Sequence, residues 1–310
     1  MPFLTLGTHV GLLTGDTGFA SMRHMMNGRL LTTLMTSLLL AAPAFAQIDL
    51  SGEWAPIRAE DHTPNPNVLP GDYVGLPIND AARMRADTWS ASQWTLLEWQ
   101  CRPHPVGYIT RGPSDLRISK EVDPVTRETT SFRVEWLRSI VHAVYLDGRP
   151  RPSKYAAHTW GGFSTGEWVG NTLKITTTHV KDGYIRRSGV HRSDKATLIQ
   201  YLTRRGDILT WTIITYDPVY LSEPLIRTSE YRLALTQQIP AYPCTVVTEI
   251  ERPKGVVPHD LPGMNGQLTA YANYYKVPYE ASRGGAETMY PEYQRKLEQM
   301  MVPTQSSTQR

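Results

Sequence analysis

From Leu116 onward, apolar and polar side chains alternate along much of the chain. Leu116, Ile118 and Val122 lead into a turn at Asp123-Pro124, and Phe132, Val134 and Trp136 alternate on the return. Residues 140–146 continue this course to Asp147-Gly148, a strong turn pair. Leu173, Ile175, Thr177 and His179 alternate with Lys174, Thr176, Thr178 and Val180. Residues 197–203 and 208–216 flank Arg204-Arg205-Gly206-Asp207, a hairpin signal with glycine at the bend. Segments 226–235 and 245–251 complete a set of about eight to ten short strands at regular spacing. This predicts an all-β domain, an antiparallel barrel or sandwich, and excludes alternating β-α units.

The flanks read differently. Residues 48–54 form a first strand, and 60–80 are too rich in proline for any period. Asn79 is placed to cap a helix over 80–98 that carries Trp89, Trp94 and Leu97 on one side. After Glu251 the strand pattern stops, and two helical pieces follow near 268–275 and 291–301. The predicted organisation is an upstream segment and signal over 1–46, a β domain with an inserted helix over 47–251, and a C-terminal arm over 252–310. The signal rests on Arg23 and Arg29, an apolar run over 30–42 and Ala44-Phe45-Ala46, with cleavage after Ala46. That run is short for a membrane span of about 20 residues. The mature chain is therefore expected in the periplasm or the medium, with no membrane span.

Composition narrows the partners. Lys+Arg 32 against Asp+Glu 29 leaves +3, no footprint for a nucleic-acid partner. Sixteen Tyr and eight Trp against five Phe favour strands and half-wet surfaces over a greasy helical core. A small-molecule partner is expected because a barrel of about eight strands can enclose one such molecule. Cys101 and Cys244 lie in neither a redox nor a nucleophile signature. In an oxidising compartment they are read as one disulfide.

No P-loop, Rossmann fingerprint or zinc-protease motif is present, and no two histidines have metal-ligand spacing. No metal or cofactor is expected. Gly162-Phe163-Ser164-Thr165-Gly166 matches G-x-S-x-G in letters, but a strand rather than a helix is expected after it, so it reads as a glycine-rich hairpin. The densest polar stretch is 176–194. If Leu173 and Ile175 point inward, Thr177 and His179 share that face, with Tyr184 and Arg187 in a loop above them. His179 is then either the candidate acid or base, with Arg187 or Arg138 holding an anion, or a hydrogen-bonded core histidine beside a solvated basic loop. Glu135 with Arg138 or Arg117 is a candidate ion pair, either lining the barrel or forming an outward salt-bridged face. Thr177, Tyr184, Trp168 and Trp136 are the candidate ligand contacts.

Gly166 to Leu173 (G-E-W-V-G-N-T-L), Thr177-Thr178-His179, the opening Gly52-Glu53-Trp54, the turn Asp147 to Arg149 and the tail Arg283 to Tyr293 resemble a widespread family of secreted bacterial proteins with no settled activity. The likeness spans nearly the whole mature chain and departs at Asn171, where the family commonly has Asp. It implies a calycin-like or lipocalin-like all-β fold and a signal peptide, and contributes no catalytic residue. Two functions follow as expectations. One is an extracytoplasmic binding protein holding a small apolar or aromatic ligand inside the barrel. The other is a cofactor-independent lyase, isomerase or hydrolase with His179 as acid or base.

Overall fold

The computed structural model describes residues 48–57, 69–108, 115–136, 141–236, 239 and 243–301. The signal-like segment 22–47 and Arg138 lie outside these residues. Eleven strands are described: β1 (Gly52–Ile57), β2 (Leu116–Val122), β3 (Thr129–Trp136), β4 (His142–Tyr145), β5 (Phe163–Val169), β6 (Thr172–Thr178), β7 (Gly183–Arg186), β8 (Val190–Arg192), β9 (Thr197–Arg205), β10 (Ile208–Tyr216) and β11 (Leu225–Leu233). Nine of them close into a barrel in the order β1-β11-β10-β9-β6-β5-β4-β3-β2, while β7 and β8 form a separate hairpin. Neighbours are antiparallel except β4 and β5, which run parallel through Val144↔Ser164 and Tyr145↔Thr165. The predicted all-β barrel is thus present, with this one parallel pair.

Alternation sets the lining. Leu173, Ile175 and Thr177 of β6, Leu198, Gln200 and Leu202 of β9, and Leu209, Trp211 and Ile213 of β10 are buried, while their chain neighbours are not. Trp54, Tyr231, Leu116 and Ile118 complete a lumen filled by side chains. A barrel of eight or nine strands has little more room than this. Gly206 takes a left-handed φ of 59° at the β9–β10 bend, as its hairpin signal requires.

Two predicted elements differ. The helix expected over 80–98 breaks into α1 (Asp80–Asp87), a 3-10 turn (Ala91–Thr95) and α2 (Leu97–Gln100). Asn79 does cap α1, accepting from the Ala82 amide at 3.1 Å. At its other end Thr88 turns its hydroxyl back onto the Met84 and Arg85 carbonyls, Trp89 bridges to His259, and Ser90 caps the 3-10 turn. The strand expected over 245–251 is absent: this stretch is exposed and pairs with no barrel strand. β1 already joins β11 to β2, so closure leaves no edge for another strand.

That stretch is tied down elsewhere. Cys244 is disulfide-bonded to Cys101, just after α2, and the Gln100 side chain donates to the Val247 carbonyl at 2.7 Å and accepts from its amide at 2.8 Å. In the arm, α3 (Ala270–Tyr275), a short α4 (Tyr279–Ser282) that was not expected, and α5 (Pro291–Met301) follow, α3 and α5 falling on the two expected helical pieces. Arg283 reaches Asp87 at the end of α1, which also accepts from the Tyr73 hydroxyl at 2.6 Å. No helix among the described residues is long and apolar enough to cross a membrane.

The bond spans 143 residues. A loop of that length limits the unfolded chain by about 5 kcal/mol in the chain-entropy description, less where the reduced chain keeps structure. Urea melts with and without reductant, and of Cys244→Ala, should therefore show a loss of about 2–5 kcal/mol. An unchanged midpoint would show that the crosslink does not hold the fold.

Candidate functional site

Across one end of the barrel, Thr177, Leu198, Thr215 and Leu225 are cross-strand partners in turn along β6, β9, β10 and β11. The β7–β8 hairpin and residues 105–107 cover this mouth. Between them and the strands lies a void of about 20 Å³ lined by Val106, Tyr184, Arg192, Leu198, Thr215 and Arg227, among others. That is room for about one water molecule. Where a ligand cavity was expected inside the barrel, Trp54, Trp211, Tyr231 and aliphatic layers of the described residues fill the lumen.

A larger opening lies outside the mouth. A cleft of about 320 Å³ is lined by Trp94, Trp99, Arg102, His104, Tyr184 and Arg187, with Cys244, Val247 and Glu249 on the far wall. Its aromatic rings brace one another edge to face: Trp94 meets Trp99 at 5.4 Å and Tyr184 at 5.6 Å between centroids. His104 packs on Trp136 at 4.7 Å and hydrogen-bonds the Tyr184 hydroxyl through Nδ1. Cations sit on the ring faces. The Arg102 guanidinium lies 3.6 Å from the Trp99 centroid and 5.2 Å from that of Trp160, and Arg187 lies 4.3 Å from that of Trp94. Burial against these rings pulls the Arg102 pKa below its usual value, with only distant help from Asp182 and Glu98. Among the described residues, no carboxylate stands within ion-pair distance of Arg102 or Arg187.

The hairpin that carries Tyr184 and Arg187 is braced by charge. Asp182 takes a two-pronged contact from Arg85 of α1 at 2.8 and 3.2 Å and a bond from His191 Nδ1 at 2.9 Å. Burial pushes the Asp182 carboxyl up, but His191 and Arg85 together hold it below the usual range. Burial keeps His191 below its ordinary value despite that carboxylate.

Below the mouth runs a buried polar chain with a determinable direction. His142 Nδ1 lies 3.2 Å from the Gly161 carbonyl, which only accepts, so Nδ1 carries the proton and Nε2 is bare. The Ser164 hydroxyl then points to Nε2 in a long 3.5 Å contact, and Thr177 donates to Ser164 at 2.7 Å. Gln200 donates to Thr177 at 2.8 Å, and Trp211 Nε1 donates to Gln200 at 3.1 Å. Five inward side chains from five strands thus satisfy one another. Burial drives the His142 pKa down to about 4, and the Gly161 bond offsets this only in part.

The sequence-derived candidates scatter. Tyr184 and Arg187 do belong to the cleft, and Trp136 lies beneath it against His104. Thr177 faces inward as expected, within the polar chain. His179 does not share that face. β6 ends at Thr178, and His179 turns the chain at a left-handed φ of 55°. Its Nδ1 meets the Thr178 hydroxyl at 2.9 Å, its Nε2 donates to the Ser153 carbonyl at 2.9 Å, and its ring packs on His158. Glu135 faces away from the lumen, 3.8 Å from Arg117, because Val134 and Trp136 take the inward positions. Trp168 pairs with Leu173, at the opposite end of the barrel from the mouth. Ser164 lies within a strand, fully buried, so G-x-S-x-G here is no accessible nucleophile. Trp94, Trp99, Arg102 and His104 were not legible as a site. The only signal was the cluster of tryptophans near a helix. Among the described residues, no group of three or more His, Cys, Asp or Glu side chains stands close enough to hold a metal.

The chain matches no known protein-family profile, and no curated protein or solved structure is significantly similar to it.

His142 fixes a pH response. Its folded pKa of about 4 lies below an unfolded value of about 6.5, so the unfolded chain binds more protons between those values. Stability is full above pH 6.5 and falls as pH drops toward 4, by about 3 kcal/mol from this group. His191 adds in the same direction. Urea melts at pH 7 and 4.5 check the loss, and His142→Gln should flatten the slope. An equal slope in that variant would assign the acid response elsewhere.

Proposed function

We propose that the protein is a secreted binding module whose small-molecule ligand lies in the mouth cleft, with an aromatic or apolar face against Trp94 and Trp99 and a negative charge toward Arg102 and Arg187. The observation that carries this reading is the pair of guanidinium groups stacked on tryptophan faces around open space, with no carboxylate of the described residues at ion-pair distance. Each guanidinium keeps its donors at the ring edge free for an anion while the ring holds it in place. Such stacking is worth about 0.5–2 kcal/mol per contact. The cleft volume of about 320 Å³ falls within the range of small-molecule sites.

Secretion is supported by the signal-like segment at 22–47 and by the disulfide, which persists in oxidising compartments. The resemblance to secreted bacterial proteins points the same way. The acid/base reading at His179 has less support. Its Nε2 is spent on a backbone carbonyl, and it lines neither the void nor the cleft.

Tryptophan fluorescence reports the cleft directly. Titration with 2-naphthoate, its methyl ester and the aliphatic octanoate separates ring from charge. Naphthoate is expected to bind more tightly than either, and Trp94→Ala or Arg187→Ala to weaken it by about 5–30-fold. Naphthoate binding that neither variant changes would move the site away from this cleft. His179→Gln, by contrast, should leave naphthoate binding unaltered; a loss of binding in that variant would return His179 to the site.

A further inference from the structure

The small void beneath Tyr184 poses a separate electrostatic question. Arg192, the last residue of β8, is 3% exposed and lines that void. Its guanidinium makes two long hydrogen bonds, to the Ser193 carbonyl at 3.4 Å and the Lys181 carbonyl at 3.3 Å. No carboxylate of the described residues stands within 4.0 Å of it. A buried charge of this kind is costly unless an opposite charge meets it.

Asp217 is the natural candidate for that role, but its oxygens are committed. They accept from the Ser193 amide and hydroxyl, both at 2.6 Å, from the Val219 amide at 3.0 Å and from the Tyr220 amide at 3.4 Å. Asp217 therefore acts on Arg192 only through space. Burial lowers the Arg192 pKa to about 10, which still leaves the group charged at neutral pH. The void itself is walled by a second guanidinium, Arg227, by Tyr184 and Thr215, and by apolar Val106 and Ile213; none of the described residues that line it is acidic.

We propose that this void is a binding site for one small monoanion of chloride size, held by the buried guanidinium of Arg192 with Arg227 on the opposite wall. Size and chemistry agree. About 20 Å³ admits one water-sized centre and excludes carboxylates larger than the smallest. Donors and apolar walls without an acceptor of negative charge favour an anion over a cation. The ion would tie the β7–β8 hairpin to the ends of β10 and β11, beneath Tyr184 and hence under the floor of the cleft. The site stands independently of the ligand proposed for that cleft.

The test uses the whole mature protein. Crystals grown without halide and soaked in sodium bromide should give an anomalous peak within hydrogen-bonding distance of the Arg192 guanidinium. In solution, the melting midpoint should be about 2–5 °C higher in sodium chloride than in sodium gluconate at equal ionic strength, because gluconate is too large to enter. The rise should saturate and disappear in Arg192→Met. If that variant does not fold, the bromide experiment on the unaltered protein still decides. A lone water at Arg192 with bromide only on the surface would overturn the proposal. So would equal midpoints in the two salts, or a chloride effect undiminished in Arg192→Met.

Discussion

Barrel closure is the constraint from which the rest of the molecule follows. Once β1 bridges β11 and β2, every barrel strand has two neighbours, and each inward side chain must fit a lumen of fixed width. Trp54, Trp211 and Tyr231 take up that width. Polar groups admitted inside must satisfy one another, as the run from Trp211 to the Gly161 carbonyl does. The open space described above lies instead at the mouth, where the segments that do not belong to the barrel gather.

Those segments are held by a few polar junctions rather than by a second large core. Asp182 joins the hairpin to α1 through Arg85 and His191, and Asp87 joins α1 to the C-terminal arm through Arg283 and Tyr73. The apolar cluster beside them is small: Tyr73, Leu76, Ile78, Ala82 and Ala86 against Ile185, Val190 and Leu221. Because α1 participates in both junctions, its short capped helix fixes the position of the hairpin, and with it Tyr184 and Arg187.

Much of the barrel was legible because a period of two is a local property. Residues 173–177 and 208–216 read correctly from their own side chains. The same rule failed at His179, where it was carried one residue past the end of β6, into a backbone conformation that no alternation predicts. It failed again at 245–251, whose apolar character suits a strand; whether such a stretch finds a partner is decided by closure far away in the chain. The cleft was the least legible part. A guanidinium between two indoles requires that Trp99 and Trp160 meet across the fold, and neither position signals that in isolation. The interior chain could have been suspected, since Ser164, Thr177 and Gln200 all occupy inward positions of otherwise apolar strands.

The crosslink between Cys101 and Cys244 also bears on how the chain reaches this state. The barrel closes by pairing Trp54 with Leu233, near the two ends of the β domain. Contacts so distant in sequence are slow to form, since the ordering of a long loop precedes any gain. With Cys101 bonded to Cys244, the covalent path from Trp54 to Leu233 shortens to roughly a third, which lowers the entropic cost of that pairing by about 1 kcal/mol. Oxidation before closure would thus shorten the loop that the pairing of β1 with β11 has to order.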